Sequence, residues 1–550
     1  MKQRIKKLCA MLIAGTMLFS MVGCSGTESK EDTKGKTQKE ENTDKALYIS
    51  VEKESTSSDK VEFPWYNLRL PCILMYRSLV LANPAETEFA PDMAEYEISP
   101  DGLVYTFNLK DNLKWSDGEP LTAEDVKWSA ETALKATQVT STFTTCFNYI
   151  KGAKEFTEGT ADTISGIVID GNKIIFELTG SYANFLKSMA QFSILPKHSL
   201  ENEDPLTLYQ SDFWAEPVTS GYYKFDEMHA GSYYSLSLNE NYEGTKPKIE
   251  KVVCNYVSNQ TTAITSGASD YAFTNSSSDI EVLNKDENLT GYFNEYLFYK
   301  YLIFNMSGAD GNQNPAMQNP KVREAVAYAI DRDAIAALYG DVAKVIYNGV
   351  PVSDESNDGK VYKYDPEKAK KLLDEAGWDW DYTVRILYYN DDETSKNIIA
   401  AIVQYLQDIG MKAESTYTSQ GTQDLFTTRD YDIGFKGTGP LDTYYSEYMS
   451  NSATFQNIYG GDTAFDESIS RLMSSTDMEG QNAAKAELQK IEEEKLYKVP
   501  ILTLWYYTYL NTSRLNVPED LDMGTPGHRC DIKFTEWEIK WNCLTKRDEN

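Results

Sequence analysis

Apolar and polar positions alternate from Tyr105 to Leu109, the period of a half-buried strand. A polar stretch and the turn residues of Lys114-Trp115-Ser116-Asp117-Gly118 follow. Thr122-Ala123-Glu124-Asp125-Val126 then predicts a helix start, with Thr122 accepting the Asp125 amide and acidic residues in the first turn matching the helix dipole. That helix is expected to reach about Lys135. Asn319-Pro320 predicts another start, followed by an apolar stripe through Val322, Val326, Ala329 and Ile330. Asp365-Pro366 repeats the device, with Ala369, Leu372, Leu373 and Ala376 on one face and Gly377 in place to end the helix. Val384 to Tyr388 reads as a strand, and Ile398 to Ile409 as an amphipathic helix closed by Gly410. Strand and helix alternate through this half, which predicts an α/β lobe. At 550 residues the chain has room for two or three lobes.

The N-terminus follows a different pattern. Lys2, Arg4, Lys6 and Lys7 precede an apolar run from Leu8 to Gly23, too short to span a membrane and typical of a signal peptide. It ends in Met21-Val22-Gly23-Cys24-Ser25, which resembles a bacterial lipobox, so Cys24 is expected to carry lipid and begin the mature chain. Residues 25–45 hold no aliphatic or aromatic side chain and predict a solvated tether with a reach of roughly 25 Å. No later apolar run approaches 18 residues. The rest is expected to lie, lipid-anchored, on the extracytoplasmic face of a bacterial cell membrane.

Charge and composition narrow the chemistry. The chain has 53 basic and 84 acidic residues, a formal charge of −31. Without the four cations before Cys24 the balance is 49 against 84, or −35. Such a surface repels phosphate backbones, so no nucleic-acid partner is expected. His198, His229 and His528 are scattered, and there is no His-Glu-x-x-His, Cys-x-x-Cys, phosphate-binding glycine loop or Gly-x-Ser-x-Gly elbow. Gly35-Lys36-Thr37 lacks the earlier glycine of a phosphate loop and lies in the tether. Nothing marks out a carboxylate pair for acid–base hydrolysis among the 84. Neither metal nor cofactor is expected, and no catalytic residue. Cys72, Cys146, Cys254, Cys530 and Cys543 remain; five is odd, and Cys530 and Cys543 are the closest pair for a bridge.

Five segments, in order, resemble the large extracytoplasmic solute-binding proteins of ABC importers, the oligopeptide and dipeptide group known as solute-binding family 5. They are Phe89 to Glu97 continuing through Asp101-Gly102-Leu103 and Lys114 to Val126; Pro217 to Phe225 with Asn241-Tyr242; Val322 to Val326 with Ala329-Ile330-Asp331-Arg332; Tyr364-Asp365-Pro366 with Ala369 to Leu373 and Ala376-Gly377-Trp378; and Val499-Pro500-Ile501-Leu502. The second is a variant, since the family more often has Gly-Thr-Gly-Pro-Tyr. The resemblance implies an α/β, two-lobed, periplasmic-binding-protein-like fold with a hinge and an extra subdomain on the first lobe. It implies a signal peptide at 1–23, lipidated Cys24 and tether at 24–45, lobe I at 46–270, lobe II at 271–500 and a return to lobe I at 501–550. The two crossings are expected near 266–276 and 498–508.

In peptide-binding members a second-lobe aspartate takes the peptide's α-ammonium, and Asp442 falls on the matching position after Tyr431-Asp432-Ile433. Here Gly439 stands where the family usually has tryptophan, and Thr443 where it has tyrosine, so Tyr444 and Tyr445 are candidates to replace the aromatic wall. Trp505 and Tyr506, beside the second crossing, are the other candidates for ligand contact, chosen among 38 tyrosines because tyrosine offers rigid amphipathic surface. The implied function is a non-enzymatic, monomeric binding lipoprotein that delivers oligopeptides to membrane permease subunits. The alternatives are a non-peptide solute, such as an oligosaccharide or metal chelate, or a surface receptor that senses peptides.

Overall fold

The computed structural model describes residues 45–540 apart from 53–58, 67, 309–313, 350–361, 440, 453–454, 460 and 476–477. The segments expected to be signal peptide and tether, apart from Lys45, lie outside the described residues, as do Cys24 and Cys543. One mixed sheet organises the fold. Its strands run in the order 412–417, 383–388, 433–438, 289–304, 498–511, 271–274, 46–52, 251–257, 233–238 and 223–229, with 343–345 paired to 498–511 beside this path.

Two central strands are much longer than the rest, Leu289–Phe304 with 16 residues and Lys498–Asn511 with 14. Leu289–Asn294 pairs antiparallel with Tyr506–Asn511, and Phe298–Ile303 pairs with Lys498–Leu504. The register shifts between Asn294 and Phe298, opposite Trp505, and again between Lys300 and Tyr301. Each long strand therefore belongs to both lobes. The second expected crossing lies within Lys498–Asn511. The first lies earlier than the strand that pairs with it: Tyr271–Thr274 meets only Tyr507–Leu510, at the first-lobe end. Lys498–Asn511 is buried along its length except at Trp505, Tyr506 and Tyr507. A strand covered on both faces needs an apolar run, and it is half-exposed only where the lobes part.

The extra subdomain is a four-stranded antiparallel sheet, 94–98, 104–109, 173–177 and 167–170. Tyr105, Phe107 and Leu109 turn inward, as the alternation requires. Beside it, Ala123–Lys135 begins in a capping box: Thr122 accepts from the Glu124 amide and the Asp125 carboxylate accepts from the Thr122 amide at 2.8 Å. Asn319 caps Pro320–Ala329, and Asp365 caps Pro366–Ala376, which Gly377 ends in the left-handed region at φ 68°. The last helix of this series, Glu393–Asp408, starts five residues before the apolar stripe because Asp392 caps it through the Ser395 amide.

Several family-like motifs turn out to be joints. The Ser116 and Thr219 segments exchange hydrogen bonds, and Asn241 Nδ2 donates to the carbonyls of Trp115 and Ser116. Arg323 and Arg332 are buried and donate only to backbone carbonyls, among them Leu496 and Pro500 beside the second long strand. Such bonds clip helical segments of the second lobe to the crossing. Cys72, Cys146, Cys254 and Cys530 are buried free thiols. No helix among the described residues is long and apolar enough to cross a membrane.

Candidate functional site

Two cavities meet where the long strands lose register. The larger, about 350 Å³, lies between the first-lobe residues Trp65, Tyr66, Phe143 and Lys187 and the second-lobe tip Gly437-Thr438-Gly439. The smaller, about 280 Å³, is walled by Val51, Arg69, Tyr271, Phe273 and Tyr506. Tyr66, Leu68, Phe298, Gly527 and His528 line both, so the two are compartments of one cleft. Volumes of this size suit small-molecule or short-peptide ligands.

Sequence position explains the walls. Phe298 is the first paired residue after the register break, and Tyr506 the last before it on the opposing strand. Gly437, in the strand Ile433–Thr438, brings its backbone against the Phe298 ring; a Cβ there would lie 2.8 Å from Phe298 Cε1. On the first-lobe side, Pro526-Gly527-His528 returns from the C-terminal segment to line the cleft. His528 Nδ1 bonds the Glu86 carboxylate, which also holds Lys187 at 2.5 Å. Burial would raise the Glu86 carboxyl, but His528 and Lys187 hold it down to about 2.

The residues proposed from sequence are distributed unevenly about this cleft. Tyr506 lines it. Its ring stands 6.2 Å from Phe273, and burial raises its hydroxyl. Trp505 packs edge-on against Phe293 at 5.2 Å, with Lys344 5.9 Å over its ring, outside the lining of both compartments. Asp442 lies in the helix Leu441–Ser446, three residues past the lining residue Gly439, and its side chain lies outside what is described. Tyr444 and Tyr445 are 0% exposed. Both donate to Glu492, Tyr445 at 3.1 Å, and Tyr448 joins them at 2.7 Å. In this conformation these two rings anchor the helix rather than face the cavity.

The anchor is extensive. The Gly349 amide also donates to Glu492, at 2.8 Å. Lys498, at the start of the second long strand, donates to the Tyr444 carbonyl at 2.7 Å and to Glu447 at 2.8 Å, and Glu447 takes Lys436 at 2.7 Å. Burial pulls the Lys498 ammonium down to about 8 against the opposing pull of Glu447. Asp432, whose motif suggested the strand, is likewise structural. It is 0% exposed and accepts from Asn314, Tyr382 and the Arg385 amide. Sequence reasoning missed Arg69, Phe273, Phe298 and the 526–528 return. The only hint was the aromatic and proline-rich tract from Pro64 to Pro71.

Residues 88–460 match the model of the bacterial extracellular solute-binding proteins, family 5, middle region. The chain belongs to that family. Among relatives of this solute-binding family, a Brucella ovis protein named as an ABC transporter peptide-binding protein is 29% identical over 350 residues, 62% of each chain. The match thus spans less than two thirds of that relative's length. The lactococcal OppA structure, complexed with an endogenous peptide in the closed conformation, superposes with a TM-score of 0.71 at 18% identity, covering 90% of this chain and all of the other. NikZ from Campylobacter jejuni, in complex with Ni(L-His), superposes with a TM-score of 0.69 at 23% identity over 90% and 99%. These likenesses establish the two-lobed α/β fold of the family for this chain. The family is one of extracellular binding proteins of importers rather than of enzymes.

Proposed function

We propose that this solute-binding protein captures oligopeptides between its lobes and delivers them to the permease subunits of an ABC importer. The observation that carries the reading is the bipartite cleft: walls from both lobes, a floor made by the two crossing strands at their register break, and aromatic rings along its length. An extended peptide in such a cleft bonds through its main chain, leaving side chains loosely read. Asp442, just past the Gly437–Gly439 tip, is the acceptor for the peptide's α-ammonium, since a carboxylate gains strength as closure removes water. Tyr506 supplies contact surface, and Tyr444 and Tyr445 act by fixing the helix that carries Asp442. Trp505 supports the hinge side of the same strand. The lobes join through the two long strands at their register shift, with residues up to about 294 and beyond about 505 in the first lobe and those between in the second.

The protein acts as a monomer held by lipid on Cys24 at the extracytoplasmic face of the membrane, with residues 1–23 removed. It needs no cofactor and performs no chemistry. Native mass spectrometry of the purified protein tests the ligand class. Retained masses forming a ladder of short peptides support the reading, and Asp442→Ala should weaken a peptide with a free amino terminus at least about tenfold while sparing its N-acetylated form. Equal losses on both forms would remove the ammonium role. Gly439, where the family usually has tryptophan, favours a second reading in which a non-peptide solute such as an oligosaccharide or metal chelate fills the space. A single sharp added mass would select it. Uptake by cells lacking the permease genes separates transport from peptide sensing.

A further inference from the structure

We infer that the smaller compartment of the cleft is an anion subsite, with Arg69 as the residue that receives a carboxylate of the ligand. Nine arginines fall among the described residues. Eight of them hydrogen-bond to carboxylates, carbonyls or a hydroxyl, as Arg77 does with Asp92 and Glu243 and Arg514 with Asp270. The side chain of Arg69 makes no hydrogen bond or ion pair with any described residue. Its guanidinium carbon stands 5.2 Å from the centroid of the Phe273 ring. Phe273 and Tyr506 both wall the same compartment.

The charge around it is as unusual as its lack of partners. The chain carries 84 acidic residues, yet no Asp or Glu is among the described residues lining either compartment. The other basic groups in the lining, Lys187 and His528, are already paired with Glu86. The nearest acidic influence, Glu62, is fully buried and accepts from Tyr234 at 2.8 Å, and it forms no hydrogen bond or ion pair with Arg69. Arg69 is therefore the cation in the lining of the described cleft that no carboxylate pairs directly. Closing the lobes over a lone guanidinium strips its water without return, whereas a carboxylate gives it a bidentate, charge-assisted partner on a flat aromatic support. An anionic ligand group thus favours the closed state over the open one.

The inference rests on the peptide reading above, and the test separates the two. The purified protein is titrated calorimetrically with three synthetic tetrapeptide pools: free C-terminal carboxylate, C-terminal amide, and C-terminal amide with one glutamate. The expected result is that the free-carboxylate pool binds about ten- to hundredfold more tightly than the amide pool, and that Arg69→Gln abolishes the difference. Recovery of affinity by the glutamate-bearing amides identifies a side-chain carboxylate as the source; no recovery identifies the C-terminus. Arg69→Lys, which keeps the charge and loses the fork, should retain part of the preference. Equal binding of all pools by the wild type, or an undiminished preference in a folded Arg69→Gln variant, overturns the anion subsite and leaves the peptide reading intact. Failure of every pool to bind the wild type overturns both.

Discussion

The aromatic side of the helix that carries Asp442 converges on one carboxylate, beside the tie from Lys498 to the Tyr444 carbonyl, and Glu492→Gln should expose how much depends on it. Glu492 Oε1 accepts from Tyr444 and Tyr448, and Oε2 from Tyr445 and the Gly349 amide. Glutamine preserves the volume and one carbonyl oxygen. Its NH₂ must then face two donors. Turned so that its oxygen keeps Tyr445 and the Gly349 N–H, its NH₂ faces the Tyr444 and Tyr448 hydroxyls, which must stop donating to it and turn to accept, leaving two buried O–H donors to find new partners at a cost of about 1–3 kcal/mol. The two bonds kept on the oxygen lose the strength that a carboxylate acceptor gives, which adds about 1–2 kcal/mol. The sum, about 2–5 kcal/mol, is a large part of the stability of an ordinary domain. Urea denaturation followed by circular dichroism reads it directly, with the exposed neighbour Glu494→Gln as a control near zero. Peptide affinity should fall with it, because Tyr444, Tyr445 and Tyr448 fix the position of residues 441–448. A stability loss below about 1 kcal/mol with unchanged peptide affinity would refute the claim that this carboxylate anchors the helix.

Three further outcomes follow from other parts of the molecule. Glu86, held at about 2 against an ordinary 4.5, is depressed in the folded state, so its stabilisation is complete above pH 4.5 and is lost as pH falls from there to 2; urea midpoints should drop across that window by up to about 3 kcal/mol, and Glu86→Gln should flatten the slope. Gly437→Ala places a methyl 2.8 Å from Phe298 Cε1 and 3.3 Å from Lys300 Cδ, so the ring must move within the cleft; peptide affinity should change several-fold with the melting temperature nearly constant, and an unchanged affinity would show that Phe298 does not touch ligand. Cys24→Ser should free the protein from the membrane or leave it unprocessed, as membrane fractionation and labelled-lipid incorporation would show; a variant that still incorporates lipid would remove Cys24 as the anchor.

What the sequence makes legible is what local chemistry controls. The caps at Thr122, Asn319 and Asp365 and the glycine stop at 377 appear where their side chains dictate, because a cap is satisfied within three residues of itself. The first crossing was less legible. Tyr271–Thr274 has the look of a strand at the right distance, but it pairs only with Tyr507–Leu510 on the first-lobe side, whereas Leu289–Phe304 pairs with Lys498–Asn511 on both sides of the register shift. Tyr444 and Tyr445 show the same limit at the site. Adjacent tyrosines near a candidate ligand residue suggest an aromatic wall, whereas a carboxylate almost fifty residues later turns both rings into the core. Arg69 gives no local signal at all. Its meaning lies in which partners it lacks, and that is a property of the assembled cleft.

The position of the register break ties binding to movement. A continuous antiparallel ladder between two long strands resists bending, and a bulge is where such a pair takes up a bend and an added twist. Here the break falls between Asn294 and Phe298, opposite Trp505, and the lining residues Phe298 and Tyr506 flank it on the two strands. A ligand in either compartment contacts Phe298, and one in the smaller compartment contacts Tyr506 as well. Closure is then favoured by whatever contacts the ligand makes only when the lobes approach, and those contacts act at the joint itself rather than through a relay. Arg69 on the first lobe and the Gly437–Gly439 tip on the second lie to either side of that joint. A ligand charged at both ends satisfies both lobes at once, and a ligand lacking its anionic group leaves the first lobe's guanidinium stripped of water by the same motion that seats the rest of the chain.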